Sequence, residues 1–257
     1  MMLSDLTWME IRDMLPENPV IIQPVGSTEQ HGPHLPVQVD ISSSFEVAKA
    51  VGDRTGCLVA PPLPYGYSEV WENFPGTISF TADTFMTCVA EITESLVRNG
   101  FKRILFLNGH NPNLPLLQTM MFRLMDRYGR NGDKLIVAGS YFMVDKETCD
   151  AIGDNFREGT HANEFETSFM MHIRPDMVHV DRLGDWEYKP ELVLSFQHGV
   201  TSVVRLPDSR VHNGVYGDPR RATPEKGRQY FEACVNKVSE IVENFNPDYF
   251  GIQEVYT

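Results

Sequence analysis

Arg103-Ile104-Leu105-Phe106-Leu107-Asn108-Gly109-His110-Asn111 is an apolar run that stops abruptly at polar, turn-forming residues. Consecutive Ile, Leu and Phe without polar alternation is the pattern of a strand buried on both faces. Upstream, residues 84–99 set Met86, Val89, Ile92 and Leu96 on one side of a helix that ends at Gly100. Downstream, residues 116–128 read as a further helix and 134–138 as a further strand. This alternation predicts an α/β fold with a mainly parallel sheet and helices on both faces. His110 then falls at a strand's carboxyl end, where open α/β sheets place their ligands, although a lone histidine there also serves structure alone.

The alternation continues toward the N-terminus. Residues 6–15 place apolar side chains at helical intervals before Pro16, and Val20-Ile21-Ile22 is a β-prone run expected to end at Pro24. Residues 42–51 put Phe45, Ala48 and Val51 on one helical face, and Leu58-Val59-Ala60 is a strand cut off by Pro61-Pro62. The aromatic, glycine-punctuated loop 65–77, which carries Trp71, suits either a pocket wall or a cover for the core edge. Toward the C-terminus, 208–219 reads as loop and 224–244 as an amphipathic helix. No repeat, low-complexity segment or linker divides the chain, which reads as one domain over residues 1–257.

With 42% hydrophobic and 22% charged residues, the composition is that of an ordinary globular protein. The net charge of −13 argues against nucleic acid and anionic membrane partners, because long-range repulsion opposes both. Cys57, Cys88, Cys149 and Cys234 are scattered and form no C-x-x-C pair, so reduced buried thiols are expected rather than disulfides or a thiolate zinc site. No apolar run has the length of a spanning helix and the first residues lack a basic leader, so a cytoplasmic protein is expected.

Three polar clusters carry the chemistry. In Gly26-Ser27-Thr28-Glu29-Gln30-His31-Gly32-Pro33-His34-Leu35-Pro36, an extended course would point Glu29 and His31 to one side, and Asp40 could close a site with them. Imidazole and carboxylate donors without cysteine suit zinc, manganese or ferrous iron. The same residues also suit a solvated turn after a buried strand. The second cluster is Asn108-Gly109-His110. The third is Glu158-Gly159-Thr160-His161-Ala162-Asn163-Glu164-Phe165-Glu166-Thr167-Ser168, where Thr160 is a plausible helix cap and His161 and Glu164 would share a face. Early-turn glutamates also need no function beyond the helix dipole.

Taken in order, and with Phe74-Pro75-Gly76-Thr77 and Gly214-Val215-Tyr216-Gly217-Asp218-Pro219, these segments resemble the creatininase (creatinine amidohydrolase) family over nearly the whole chain. The resemblance implies a three-layer α/β/α fold, a homohexamer, and two divalent metals at the carboxyl ends of parallel strands, zinc first, with manganese or iron as alternatives. By matching position, Glu29 and His110 bind one metal, His31 the other, and Asp40 bridges. Creatinine-cleaving members carry a further glutamate ligand where this chain has Pro112, so Glu164 is the expected replacement. They also differ at Thr160 and near Arg157, and many relatives have a histidine at the position of Trp71, so creatinine itself is not the expected substrate.

A pair of such ions acidifies water toward a pKa of about 7 and polarises a carbonyl, the combination hydrolysis needs. His161 is the candidate proton donor to the leaving group and Glu166 an orienting residue, while His34, Trp71 and Arg157 are candidates to touch substrate. The expected substrate is a small non-peptide amide, most simply a cyclic one. The alternatives are a carbon–carbon hydrolase opening a cyclic diketone derived from an inositol-type polyol, a deformylase, and a non-catalytic maturation partner stabilised by metal.

Overall fold

The computed structural model describes residues 1–17, 19–128, 133–142, 146–152, 161–184 and 213–252. Its first helix, α1 (Trp8–Met14), is opened by a reciprocal cap between Thr7 and Glu10. Strand β1 (Val20–Val25) leads through a long loop into α2 (Val39–Thr55), then β2 (Leu58–Val59), α3 (Ala82–Arg98), β3 (Arg103–Asn108), α4 (Asn113–Tyr128) and β4 (Leu135–Ser140). Helices α5 (Lys146–Ile152), α6 (Glu164–Ile173) and α7 (Pro224–Glu243) follow. The strands form one parallel sheet in the order β2-β1-β3-β4.

Because side chains alternate across a strand, each strand feeds two cores. Ile21, Val25, Ile104 and Phe106 pack with Phe85 and Val89 of α3 and Leu117, Met120 and Leu124 of α4. Ile22, Leu105 and Leu107 pack on the other face with Val47 and Val51 of α2, Phe165 and Phe169 of α6, and Tyr230, Cys234 and Val238 of α7. The result is the expected three-layer α/β/α architecture. Truncating a fully buried strand residue such as Leu105 to alanine would cost about 2–5 kcal/mol.

The order of strands also fixes where a site belongs. From β1 the chain moves outward to β2, then crosses back past β1 to reach β3. The loops leaving β1 and β3 therefore diverge at a switch point and open a crevice at their carboxyl ends.

Two sequence expectations are corrected here. Pro24 does not end β1: it lies within the strand in register with Leu107. Its nitrogen faces the β2 side, where β2 has already stopped at Val59, so no ladder donor is lost. Helix α2 also begins three residues earlier than residues 42–51 suggest, which puts Asp40 in its first turn. The suggested cap at Thr160 lies outside the described residues, and α6 is capped instead by Asn163, whose side chain accepts from Glu166 N–H. Among the described residues no helix is long and apolar enough to cross a membrane.

Candidate metal centre

Two glycines bring Asp40 to the crevice. A Cβ at Gly109 would sit 2.0 Å from Asp40 O, and one at Gly26 would sit 2.7 Å from the Ile41 backbone. Only glycine lets the first turn of α2 rest directly on the ends of β1 and β3. Asp40 is thereby buried between two imidazoles, with Oδ1 3.2 Å from His31 Nε2 and Oδ2 2.8 Å from His110 Nδ1.

The other members converge from three loops and from the first turn of α6. Glu29 Oε1 lies 3.3 Å from His110 Nδ1 and 3.5 Å from His161 Nδ1, and Glu166 Oε2 lies 3.8 Å from His31 Nε2. The ligand-type atoms fall into three groups, each within a span of 4.8 Å: Glu29, Asp40 and His110; His31, Asp40 and Glu166; and Glu29, His31 and His161.

Each imidazole of the cluster turns one ring nitrogen to a backbone carbonyl, which calls for an N–H at that nitrogen. His31 Nδ1 donates to Glu29 O at 3.1 Å, His110 Nε2 to Tyr67 O at 2.9 Å, and His161 Nε2 to Gln30 O at 2.8 Å. The opposite nitrogen of every ring then faces the carboxylates, the arrangement of metal-binding histidines; without metal, His31 and His110 carry a proton there that an ion would displace. Glu29 Oε2, His31 Nε2 and Asp40 Oδ2 are buried without a well-formed hydrogen bond. Three carboxylates, three imidazoles and orphaned donor atoms fit divalent metal ions of the zinc, manganese or iron type.

Electrostatics follow from the same packing. Burial works against a charge on His31, but Asp40, Glu166 and Glu29 outweigh it and raise its pKa to about 9. His110 is likewise raised, by Glu29 and Asp40 against its burial. Asp40, although buried, is held below the usual carboxylate range by those two imidazoles. Burial raises Glu166 to about 7. His161 is pushed well down by burial and by His31, so it stays neutral.

Glu166 is aimed by strained backbone. Ala162, φ 52°, is the one non-glycine residue with positive φ among those described, and its N–H donates to Glu166 Oε2 at 2.5 Å. That conformation costs about 1–3 kcal/mol.

The third cluster therefore differs from expectation. Glu164 does not reach the metal group: its carboxylate pairs with Lys226 of α7 and lies 4.0 Å from Arg221. Glu166, expected to orient a ligand, stands at the cluster instead. Residues two apart on a helix point about 200° apart, so only one of the two glutamates can face the crevice. His34 is fully buried and its Nε2 is 2.8 Å from Thr167 Oγ1, a contact between loop and α6 that removes it from a substrate surface. Trp71 is at the site: its indole stacks on the His161 ring at 4.4 Å and 18°, while His31 covers the other face of that ring at 4.3 Å. Arg157 lies outside the described residues. The sequence reading also passed over Ser68, whose buried hydroxyl lies 3.2 Å from His110 Nε2, and Asn113.

A parallel α/β sheet carrying carboxylates and imidazoles at its switch point defines a metal-dependent hydrolase. Residues 4–242 match the family model described as "Creatininase: Creatinine amidohydrolase", and the chain belongs to that family. It is 31% identical to creatinine amidohydrolase of Pseudomonas putida over 95% of this chain and 97% of that one. It is 33% identical to the mycofactocin precursor peptide peptidase of Mycolicibacterium smegmatis over 91% and 88%, and 26% identical to 3-dehydro-scyllo-inosose hydrolase of Thermotoga maritima over 93% and 81%. Two solved structures, a creatininase mutant of "Zn-Zn type" and "Creatininase Mn", each superpose with a TM-score of 0.82 at 29% identity, covering 96% of this chain and 98% of theirs.

Proposed function

We propose that the protein hydrolyses the C–N bond of a small amide, a cyclic one first, with the whole chain acting as one domain. The observation that carries this is the convergence of Glu29, His31, Asp40, His110, His161 and Glu166 with buried donor atoms left unsatisfied. Glu29, Asp40 and His110 would hold one divalent ion and His31, Asp40 and Glu166 a second, Asp40 being shared. Ions held there supply an acidified water and a polarised substrate carbonyl.

The chain's own residues supply the proton traffic and the walls. His161 is neutral, its Nε2–H is tied to Gln30 O, and its Nδ1 faces the cluster, so Nδ1 can take the proton of the attacking water and return it to the departing nitrogen. Trp71, stacked on that imidazole, keeps the ring in place and excludes bulk water from its face. Arg157 is proposed to favour a polar or anionic substrate.

An amide is favoured over a carbon–carbon bond because the creatinine amidohydrolase and peptide peptidase relatives, at 31% and 33% identity, exceed the inosose hydrolase at 26%. The proposal extends to zinc as the native metal and to a cytoplasmic homohexamer, which sedimentation would check.

The test is turnover by metal-stripped and by zinc-, manganese- or iron-reloaded protein on lactams, formamides, short peptides and cyclitol ketones. Lactam opening that disappears on stripping and returns on reloading, with unchanged circular dichroism, is the expected result. Unfolding on stripping with no turnover in any loaded form would assign the ions to structure instead.

A further inference from the structure

We propose that Asn113 is a positioning residue that clamps the three loops around the cluster and, through the Tyr67 carbonyl, orients the His110 imidazole. The proposal rests on the metal reading given above. Asn113 opens α4 and is completely buried, and its backbone N–H donates to His110 O at 3.1 Å.

Its carboxamide joins three segments. Oδ1 accepts the Tyr67 N–H at 3.0 Å, while Nδ2 donates to Gly26 O at 3.0 Å and to Asn108 Oδ1 at 3.2 Å. The amide can face only one way, because Tyr67 N–H can only donate and Gly26 O can only accept. Gly66 keeps the loop close enough: a Cβ there would lie 2.7 Å from Asn113 Oδ1 and 2.5 Å from Gly26 O.

Besides the backbone bond, the carboxamide leads to His110 by two routes. Tyr67, held at its N–H by Asn113, presents the carbonyl that accepts His110 Nε2–H at 2.9 Å, which leaves Nδ1 for Asp40 and Glu29. Asn108, held at Oδ1 by Asn113, accepts the His110 N–H at 3.2 Å and donates to His110 O at 2.7 Å. His31 and Glu166 are oriented instead by Glu29 O and Ala162 N–H. Loss of the clamp should therefore weaken the Glu29, Asp40 and His110 group and spare the His31, Asp40 and Glu166 group.

Asn113→Asp tests this, since a carboxylate keeps the acceptor for Tyr67 but turns oxygens toward Gly26 O and Asn108 Oδ1. Zinc equivalents and affinities are read by chelator competition, and the ligand field by the visible spectrum of cobalt-loaded protein. The expected result is one equivalent weakened about 10–100-fold, with a changed cobalt spectrum, while the second equivalent is unaltered. Wild-type affinity and spectrum in the variant, or equal weakening of both equivalents, overturns the proposal. Should Asn113→Asp not fold, Asn113→Ser is read in the same way, and failure of both to fold assigns the residue to stability and overturns the proposal. A wild-type protein that binds no zinc refutes the metal reading itself, an outcome distinct from these.

Discussion

Two carboxylates reach the cluster from the same local address, the first turn of a helix, and end in opposite electrostatic states. Asp40 in α2 lies between two imidazoles and is held ionised, below the usual carboxylate range, despite its burial. Glu166 in α6 stands 3.8 Å from its one imidazole neighbour, so burial dominates and raises it to about 7. The helix dipole favours an anion at both places, but its contribution of about 0.3–1 kcal/mol is smaller than either effect. What decides the charge is which side chains face the carboxylate across space. The backbone devices differ as well: bare glycines let α2 approach, whereas a strained alanine aims Glu166.

The sharpest way to break this comparison is Asp40→Asn. As the residue shared by the two proposed ion sites, it should cost metal affinity at both, by more than the roughly 100-fold that marks the upper range for an outer-sphere partner. Turnover should vanish, as checked by metal analysis with activity on the same sample. Glu166→Gln should weaken one equivalent only. Its control is Glu164→Gln, which should keep the full metal complement and change stability by about 1 kcal/mol through the partly exposed Lys226 pair.

The glycine device is tested by Gly109→Ala, whose methyl would meet the Asp40 carbonyl, against Gly56→Ala at the end of α2, where φ is +76° but nothing lies within 4 Å. Chemical denaturation should show a loss of about 3 kcal/mol or more at Gly109 and about 1–2 kcal/mol at Gly56.

The remaining test is in pH. Metal binding must expel the proton from Glu166 below about pH 7 and from His31 below about pH 9. Apparent zinc affinity should therefore rise steeply with pH up to 7, less steeply from 7 to 9. For the metal-free fold the sign is reversed. His31 binds its proton more tightly folded than unfolded, so its stabilising contribution is complete below about pH 6.5 and gone above about 9. Titration calorimetry and thermal melts across this range read the two trends separately.

The apolar runs 20–22, 58–60, 103–107 and 134–138 alternate with amphipathic helices, and in a right-handed crossover scheme that pattern leaves few arrangements besides a covered parallel sheet. Glu29, His31, Asp40, His110 and His161 each stood out in a short polar segment at an element's end, and it was the family resemblance that joined them into one cluster. The sequence reading assigns Glu164 and Glu166 the wrong way round, because the face of α6 that meets the crevice is set by its packing and by the Lys226 pair, neither of which is written in the local sequence. His34 has the same look in sequence as His31, yet one is tied to Thr167 and the other faces Asp40.

The sequence alone determined the layered architecture, since periodicity and turn chemistry act over neighbouring residues, and its family resemblance gathered most of the ligand-type residues at one sheet edge. Only the tertiary structure decided which glutamate points inward, why Pro24 is tolerated in β1, and which charge each carboxylate carries. Those outcomes depend on partners as distant in the chain as Lys226 for Glu164 or the end of β2 at Val59 for Pro24, and on desolvation that exists only once the layers have packed.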